Sequence, residues 1–248
     1  MTHHPSEIAI RTEGFTVRCE LSPRDCLADG WSGFKQNARV AVLGNLLYMT
    51  ISFIGGKIPV VNVLFDALIM PVFTGGLTIF SLNLARNQSP QVMDIFRGFE
   101  RWLSFLGAGL LIGFVLFLFV LPVGIGVVID ESVGANFPMF KLVFSLVSAG
   151  LCLFCFLRWF MVFYLIADGN KVLEAFRKSP EITKGYRGAL LVLLLLVFLI
   201  NIAGIFALFV GLLVTLPVMQ IALASAYVRL TGTEITETDR VLKSGGPK

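Results

Sequence analysis

Long uninterrupted apolar runs constrain this chain more than any other feature of its sequence. A helix needs about 20 mainly apolar residues to cross a hydrocarbon core about 30 Å thick. Six runs approach or exceed that length, because the run from Gly188 to Leu230 is too long for one span and divides near Gly211. The predicted spans are 38–56, 58–84, 102–129, 137–167, 187–208 and 210–230.

The composition independently places the chain in the membrane class. Of its 248 residues, 56% are hydrophobic and 15% are charged, whereas a soluble domain has about 25% charged residues. Only helices and closed barrels satisfy their backbone polar groups inside a bilayer. The sequence therefore predicts an all-α integral membrane protein with a six-span membrane domain at 22–232. Segment 1–21 is predicted to be a polar tail and 233–248 a disordered polar tail.

The positions of the basic residues predict the orientation of the spans. Of the 20 Lys and Arg residues, 17 lie before span one, between spans two and three, between spans four and five, or after span six. Lys57 and Lys141 lie on the opposite side, and Arg158 lies within span four. Because basic loops stay on the cytoplasmic side, we expect both termini in the cytoplasm. The first residues also lack the pattern of a cleaved signal peptide.

A short segment recurs ahead of the odd-numbered spans. "DGWSGFKQNARVAVLGNLL" leads into span one and "DIFRGFERWLSFLGAGLL" into span three, and the two align on an aromatic residue followed by x-Gly-Phe. Before span five, the aromatic and basic pair of Phe176 and Arg177 recurs without that glycine. The repeat predicts three transmembrane hairpins, each preceded by a cytoplasmic interfacial amphipathic helix.

The second of these segments has the spacing of an α-helix lying in the headgroup layer. Val92, Ile95, Phe96, Phe99 and Trp102 share one helical face, with charged residues around the rest. Two interpretations stay open: the segments contact phospholipid, or they pack together as a cytoplasmic cap. The candidates for phospholipid contact are Trp31, Phe34, Lys35, Phe96, Arg97, Phe99, Arg101, Trp102, Phe176 and Arg177.

Polar side chains inside a span are costly and are candidates for function. Asp66 is the clearest carboxylate within a span, and Arg158 is the only strongly embedded base. The weaker candidates are Asn45, Asn62, Asn201 and Gln220. The sequence leaves open whether Asp66 and Arg158 pair inside the bundle or Arg158 extends to cytoplasmic phosphates. Amides in spans usually hydrogen-bond across helices.

Three prolines interrupt the predicted spans and have two interpretations. Pro71, Pro122 and Pro217 lie in spans two, three and six. Proline kinks a helix by removing a backbone hydrogen bond, and broken helices in corresponding repeats occur at transport sites. The neighbouring small residues indicate close helix packing instead, which is the interpretation we favour.

The residues that catalysis and metal binding need are sparse. Cys152 and Cys155 have the spacing of a redox or zinc motif, but no histidine or carboxylate lies beside them, which is typical of packing residues. His3 and His4 lie in the N-terminal tail. We therefore expect no catalytic residues, no metal, no cofactor, no disulfide and no nucleic-acid partner.

Four segments give the chain a family resemblance. They read "GWSGFKQN", "LARNQSPQVMDIFRGFERW", "IADGNKVLEAFRKSPEITKGYRG" and "GLLVTLPVMQIALASAYVRLTG". Over about residues 22–232 the chain resembles bacterial integral membrane proteins of no established activity, related to the membrane domain of some glycerophosphoryl diester phosphodiesterases. The resemblance implies a six-span helical fold in the bacterial cytoplasmic (inner) membrane. It carries over no hydrolase activity, since the catalytic barrel of the fused relatives has no counterpart here.

These observations predict a non-enzymatic, multi-pass membrane protein that engages phospholipid, in envelope lipid handling or membrane organisation. The basic amphipathic segments are the reason for that expectation. A small-solute or ion transporter working through the kinked spans and Asp66 is the first alternative. A scaffold for another membrane protein is the second. A homo-oligomer or a membrane-protein partner is compatible with each.

Overall fold

A computed structural model describes residues 21–55, 63–133, 138–206 and 211–232, except for the side chains of 123 and 125–141. The two predicted tails, 1–21 and 233–248, fall almost wholly outside these ranges. Within them every regular element is helical. The helices are Pro23–Gln36, Ala38–Gly55, Phe65–Ile69, Met70–Ala85, Val92–Arg101, Trp102–Val133, Pro138–Trp159, Val162–Ala167, Val172–Ile182, Arg187–Phe206 and Leu212–Thr231.

Six stretches of the described helices are long and apolar enough to cross a membrane. The prediction of an all-α, multi-pass membrane protein with six spans is therefore confirmed. The observed bounds of spans one, five and six lie close to the predicted ones, whereas span three is Val92–Pro122 rather than the predicted 102–129. From here the spans are numbered one to six: Ala38–Gly55, Phe65–Ala85, Val92–Pro122, Leu142–Ala167, Arg187–Ile205 and Leu212–Thr231.

Spans two and six form the centre of the bundle. In each, 56% of the most apolar 18-residue stretch is buried, against 17% in span one, 11% in span three and 22% in spans four and five. The outer spans leave large apolar side chains such as Phe53, Phe117 and Leu199 exposed. Such surfaces suit a hydrocarbon surrounding, where exposed apolar side chains carry no penalty.

The first part of span three, Val92–Arg101, is a 3-10 helix that continues directly into the α-helix Trp102–Val133. The α-helix predicted there is thus wrong in helix type. Asp94 fixes its start, accepting hydrogen bonds from the Gln91 backbone N–H at 3.0 Å and from Asn83 at 2.9 Å. A 3-10 helix stacks residues three apart, which places Ile95 and Gly98 together against span two.

Close approach of backbones explains the glycines at this contact. A Cβ on Gly76 would overlap the carbonyl group of Ile95, and one on Gly98 would overlap the carbonyl oxygen of Val72. The 3-10 helix therefore lies directly on span two, and only glycine fits at these positions.

The N-terminal helix, Pro23–Gln36, lies in the same way on span six. A Cβ on Gly30 would lie 2.7 Å from the Val218 carbonyl oxygen and 2.9 Å from Cβ of Ala222. Cys26 is fully buried on the same face, and burial raises the pKa of its thiol to about 11. Arg229 binds Asp29 with a 2.6 Å ion pair, which links the helix to the end of span six.

Span two contains a π-helical turn, Phe65–Ile69, immediately before Pro71. The Met70 N–H reaches back to the Phe65 carbonyl, one residue further than in an α-helix. Pro71 has no N–H to donate, and its ring lies where a Cβ on Gly109 of span three would stand. Pro71 thus both follows an irregular turn and packs closely against a neighbouring span.

Candidate functional site

A cavity of about 760 Å³ lies among spans one, two, three, four and six, and it is partly open to the surroundings. Aromatic and aliphatic side chains make up most of its wall, with Phe156, Trp159, Phe160 and Phe163 of span four on one side. The other lining residues are Asn45, Tyr48, Met49, Ser52, Phe53, Thr74, Leu77, Thr78, Ser81, Ile112, Leu116, Cys155, Tyr164, Leu216, Met219 and Gln220.

A row of hydroxyl and amide groups crosses the cavity wall on spans one and two. The Tyr48 and Thr74 hydroxyls lie 3.2 Å apart and hydrogen-bond to each other. Thr78 donates to the Thr74 carbonyl at 2.8 Å, and the buried Asn45 amide donates to the Ala41 carbonyl at 3.0 Å. Because only one hydroxyl hydrogen lies between Tyr48 and Thr74, and the Asn45 amide has a second N–H, this row keeps both donors and acceptors.

Gln220 differs from Asn45, the other amide of the lining, in its hydrogen bonding. It projects from span six and is partly buried. Among the residues that the structure describes, its amide has no hydrogen-bond partner. None of the described lining residues is Asp, Glu, Lys, Arg or His, so the described lining carries no charge.

A polar network lies next to the cavity and contacts it through Tyr164. Tyr164, which lines the cavity, stacks on Tyr227 with ring centroids 5.3 Å apart. The Tyr227 hydroxyl donates to Asp168 at 2.7 Å. Arg86 binds the same carboxylate with both terminal nitrogens, at 2.8 and 2.9 Å. This network joins the ends of spans two, four and six, because each span contributes or directly precedes one of the three residues.

Sequence patterns alone do not predict this network, although two of its members lie in the motifs quoted above. Arg86 belongs to "LARN" and Asp168 to "IADGN", each at the end of an even-numbered span. An arginine and an aspartate at matching span ends are a usable signal for an ion pair. Their separation of 82 residues hides the pairing until the spans are arranged in space.

Two smaller cavities flank the N-terminal helix. One of about 420 Å³ lies between its Leu27 and Trp31 and the residues Ile200 and Val214 of spans five and six. The other, about 230 Å³, is mainly polar and contains Asp29 and Arg229. The helix thus has an apolar edge and a polar edge on either side of the face that packs on span six.

The candidates on the N-terminal helix occupy different environments. Trp31 is half-exposed, its ring stacks on Phe34 with centroids 5.9 Å apart, and the Lys35 ammonium lies 5.3 Å from the Trp31 ring centroid. Phe34 itself is buried in the cluster with Phe80 and Ile221. Phe34 therefore packs inside the bundle.

The candidates of the second segment are partly used for internal contacts. Phe96 and Phe99 are half-exposed. Both rings pack edge-to-face with Phe73, at centroid distances of 5.9 and 5.2 Å. Arg97 lies 3.6 Å from Asp94 and 3.5 Å from Glu100. Arg101 donates to the Ile166 carbonyl at 3.2 Å. Trp102 is half-exposed.

In the third segment, Phe176 packs on Trp159 edge-to-face at 5.5 Å, whereas Arg177 is exposed. The hydroxyl of Ser179, on the same helix, donates to the Arg158 carbonyl at 2.9 Å. This helix, Val172–Ile182, is therefore held against the end of span four.

The intramembrane candidates do not meet. Asp66 is exposed within the π-helical turn, and Arg158 is partly buried. Neither takes part in an ion pair among the described residues. Asn201 bridges spans five and six: it donates to the Val197 carbonyl at 2.8 Å and accepts from Thr215 at 3.1 Å. That is the cross-helix role usual for an amide in a span.

Cys155 lines the central cavity, and Cys152 lies one turn away. Within the described ranges, no three His, Cys, Asp or Glu side chains come together in a way that would hold a metal. What the site offers is therefore an apolar volume with hydroxyl and amide groups in its wall, among which the Gln220 amide has no described partner. No protein-family model, curated protein or solved structure matches this chain.

Proposed function

We propose that this protein is a non-enzymatic membrane protein that binds membrane lipid, with a lipid chain in the central cavity. The cavity is the observation that carries this proposal. Its volume of about 760 Å³ falls in the range of about 300–1,000 Å³ typical of small-molecule sites, and such sites combine apolar walls with a few polar groups. A cavity among membrane spans is surrounded by hydrocarbon chains, which match its lining.

The proposal extends to the surface of the bundle, where phospholipid contacts the basic and aromatic segments. Half-exposed Trp31, Phe99 and Trp102, with the exposed Arg177, support this part. The alternative of a cytoplasmic cap is supported by the buried faces of the same segments, and one segment can serve both purposes. Three hairpins, cytoplasmic termini, a bacterial inner-membrane location and a relation to the phosphodiesterase membrane domains belong to this proposal as predictions.

The cavity offers a matched pair of variants for a test. Leu116 lines the cavity, whereas Leu118, two residues along the same span, is exposed on the outer surface. Leu116→Trp adds bulk inside the cavity, and Leu118→Trp makes the same chemical change outside it. We expect lipid retained by the purified protein to fall several-fold in Leu116→Trp and to stay unchanged in Leu118→Trp, as counted by native mass spectrometry.

Thermal melting of both variants checks that each is folded. Equal lipid retention in Leu116→Trp, Leu118→Trp and the unaltered protein would refute a lipid in the cavity. A protein that co-purifies in fixed stoichiometry with all three would point to the scaffold alternative instead.

The transporter alternative has one observation in its favour. Asp66 lies in a π-helical turn, a type of irregularity that occurs often at functional sites. This alternative requires ion- or proton-coupled solute flux into liposomes that Asp66→Asn abolishes.

A further inference from the structure

Gln220 lies within span six, where an amide without a hydrogen bond has a high free-energy cost. It lies 11 residues before Thr231, the last residue of span six, which corresponds to about 17 Å at about 1.5 Å per residue. Hydrocarbon offers no hydrogen bonds, so an unpaired amide at this depth costs several kcal/mol. Because no described residue bonds the Gln220 amide, a polar group of a bound molecule is its natural partner.

The rest of the lining restricts the charge of that molecule. None of the described lining residues is cationic, so none would neutralise a phosphate, and an ion in the membrane interior needs an opposite charge or water. The hydroxyl groups of Tyr48 and Thr74 and the amide of Asn45 both donate and accept, and they carry no net charge. These groups instead suit an uncharged molecule that has a hydroxyl donor or a carbonyl acceptor.

We propose that the cavity binds an uncharged lipid whose carbonyl or hydroxyl group hydrogen-bonds to Gln220. The proposal rests on the proposed function, since it names the class of lipid that the cavity takes. A carbonyl oxygen accepts from the Gln220 Nε2–H, and a hydroxyl group donates to Oε1. The hydrocarbon chain packs along the aromatic wall formed by Phe156, Phe160 and Phe163. Phospholipids, whose phosphate is charged, stay outside the cavity.

Two probes with the same acyl chain compare an uncharged headgroup with a charged phosphate headgroup. Monooleoylglycerol and oleoyl lysophosphatidylglycerol have the same chain and ester, and only the second has a phosphate. A polyprenyl quinone, which is uncharged and has carbonyl groups but no hydroxyl, is the third probe. Each is added to the delipidated, detergent-solubilised full chain, and its affinity is measured by native mass spectrometry titration.

We expect monooleoylglycerol or the quinone to bind at least about tenfold more tightly than the lysophospholipid. A net hydrogen bond contributes about 1 kcal/mol, so Gln220→Leu should weaken the uncharged probes about five- to tenfold. The same variant should leave lysophosphatidylglycerol unchanged. Gln220→Met, which keeps the length of the side chain, should repeat the result and thereby separate a lost hydrogen bond from altered packing.

The outcomes distinguish this inference from the proposed function. If the lysophospholipid binds as tightly as the uncharged probes, or if both Gln220 variants bind them normally, the inference is wrong. If Leu116→Trp also fails to weaken any probe, lipid binding in the cavity is itself wrong. The tighter of the two uncharged probes identifies whether a hydroxyl-bearing ester or a quinone carbonyl is the preferred group.

Discussion

Spans two and six differ from spans three and five in what faces their neighbours. The inner pair presents small residues such as Gly75, Gly76, Ala222 and Ala224, whereas span three turns large side chains such as Phe114 outward. Apolar area does not drive association in a bilayer, because lipid tails are as apolar as leucine. The inner spans are central because their backbones approach closely, not because they are more hydrophobic.

Close contact and open volume also alternate along the bundle: a bonded network lies at one end, and the aromatic-lined cavity lies next to it. At one end, Arg86, Asp168 and Tyr227 tie three spans together through charge-assisted hydrogen bonds. Beyond Tyr164, bulky aromatic side chains line an open volume rather than filling it. Small residues and polar links therefore make the closely packed part of the bundle, and aromatic side chains line the part that can accept a ligand.

Gly76→Leu should have the largest effect. Its side chain would overlap the backbone of Ile95, which a flexible neighbour cannot relieve. Overpacking a core costs about 1–3 kcal/mol when side chains can adjust, and here a backbone must move. We expect the variant to lose monodisperse protein on size-exclusion chromatography.

Gly113→Leu is the matched control, because a Cβ at Gly113 would meet nothing within 4 Å. It should elute and melt like the unaltered protein. If the two variants behaved alike, close backbone approach would not be what makes span two central.

Asp168→Asn should have an intermediate effect. It removes a carboxylate that Arg86 and Tyr227 share, and the Arg86 and Asp168 side chains are 18% and 22% exposed. Removing a partner from a partly buried charged hydrogen bond costs about 1–3 kcal/mol. We expect a lowered melting temperature in detergent. Glu181→Gln, the same chemical change at an exposed position, should leave the melting temperature within error.

The position of the spans was predictable, but their arrangement was not. Runs such as "LLVLLLLVFLI" predict a span because hydropathy depends only on neighbouring residues in the sequence. The network of Arg86, Asp168 and Tyr227 depends on which spans become neighbours, and no local pattern specifies that. The α-helical spacing of 92–103 likewise predicted an amphipathic α-helix, but the contact of Gly98 with span two occurs in a 3-10 helix.

The candidate site shows the same limit. Asp66, Arg158 and Asn201 attracted attention as costly polar residues, yet none of them lines the central cavity. Gln220 does, although as a lone amide in an apolar run it resembles Asn201 in sequence. The difference lies in their partners: Asn201 is bonded to Val197 and Thr215, and Gln220 faces an open volume.

Asp29→Asn should have the smallest effect on stability. It tests whether close packing alone holds the N-terminal helix on span six. The Asp29 and Arg229 side chains are 42% and 25% exposed, so solvent screens their attraction. Exposed ion pairs contribute about 0.2–1 kcal/mol. The N-terminal helix should therefore stay docked through Gly30 and the buried Cys26. The readout is alkylation of Cys26, followed by mass spectrometry of its peptide, and the expected change in rate is less than about fivefold, since 1.4 kcal/mol corresponds to tenfold.

A double-mutant cycle with Arg229→Gln decides how the helix is held, because it isolates the coupling of the two side chains from their other contacts. A coupling of less than about 1 kcal/mol places the docking in the close packing of Gly30 on span six. A larger coupling, together with rapid alkylation of Cys26 in Asp29→Asn, would mean that charge holds this helix. The N-terminal helix would then be fastened in the way that Asp168 fastens the ends of spans two, four and six. Close packing would in that case describe spans two and six alone and not the helix that lies on them.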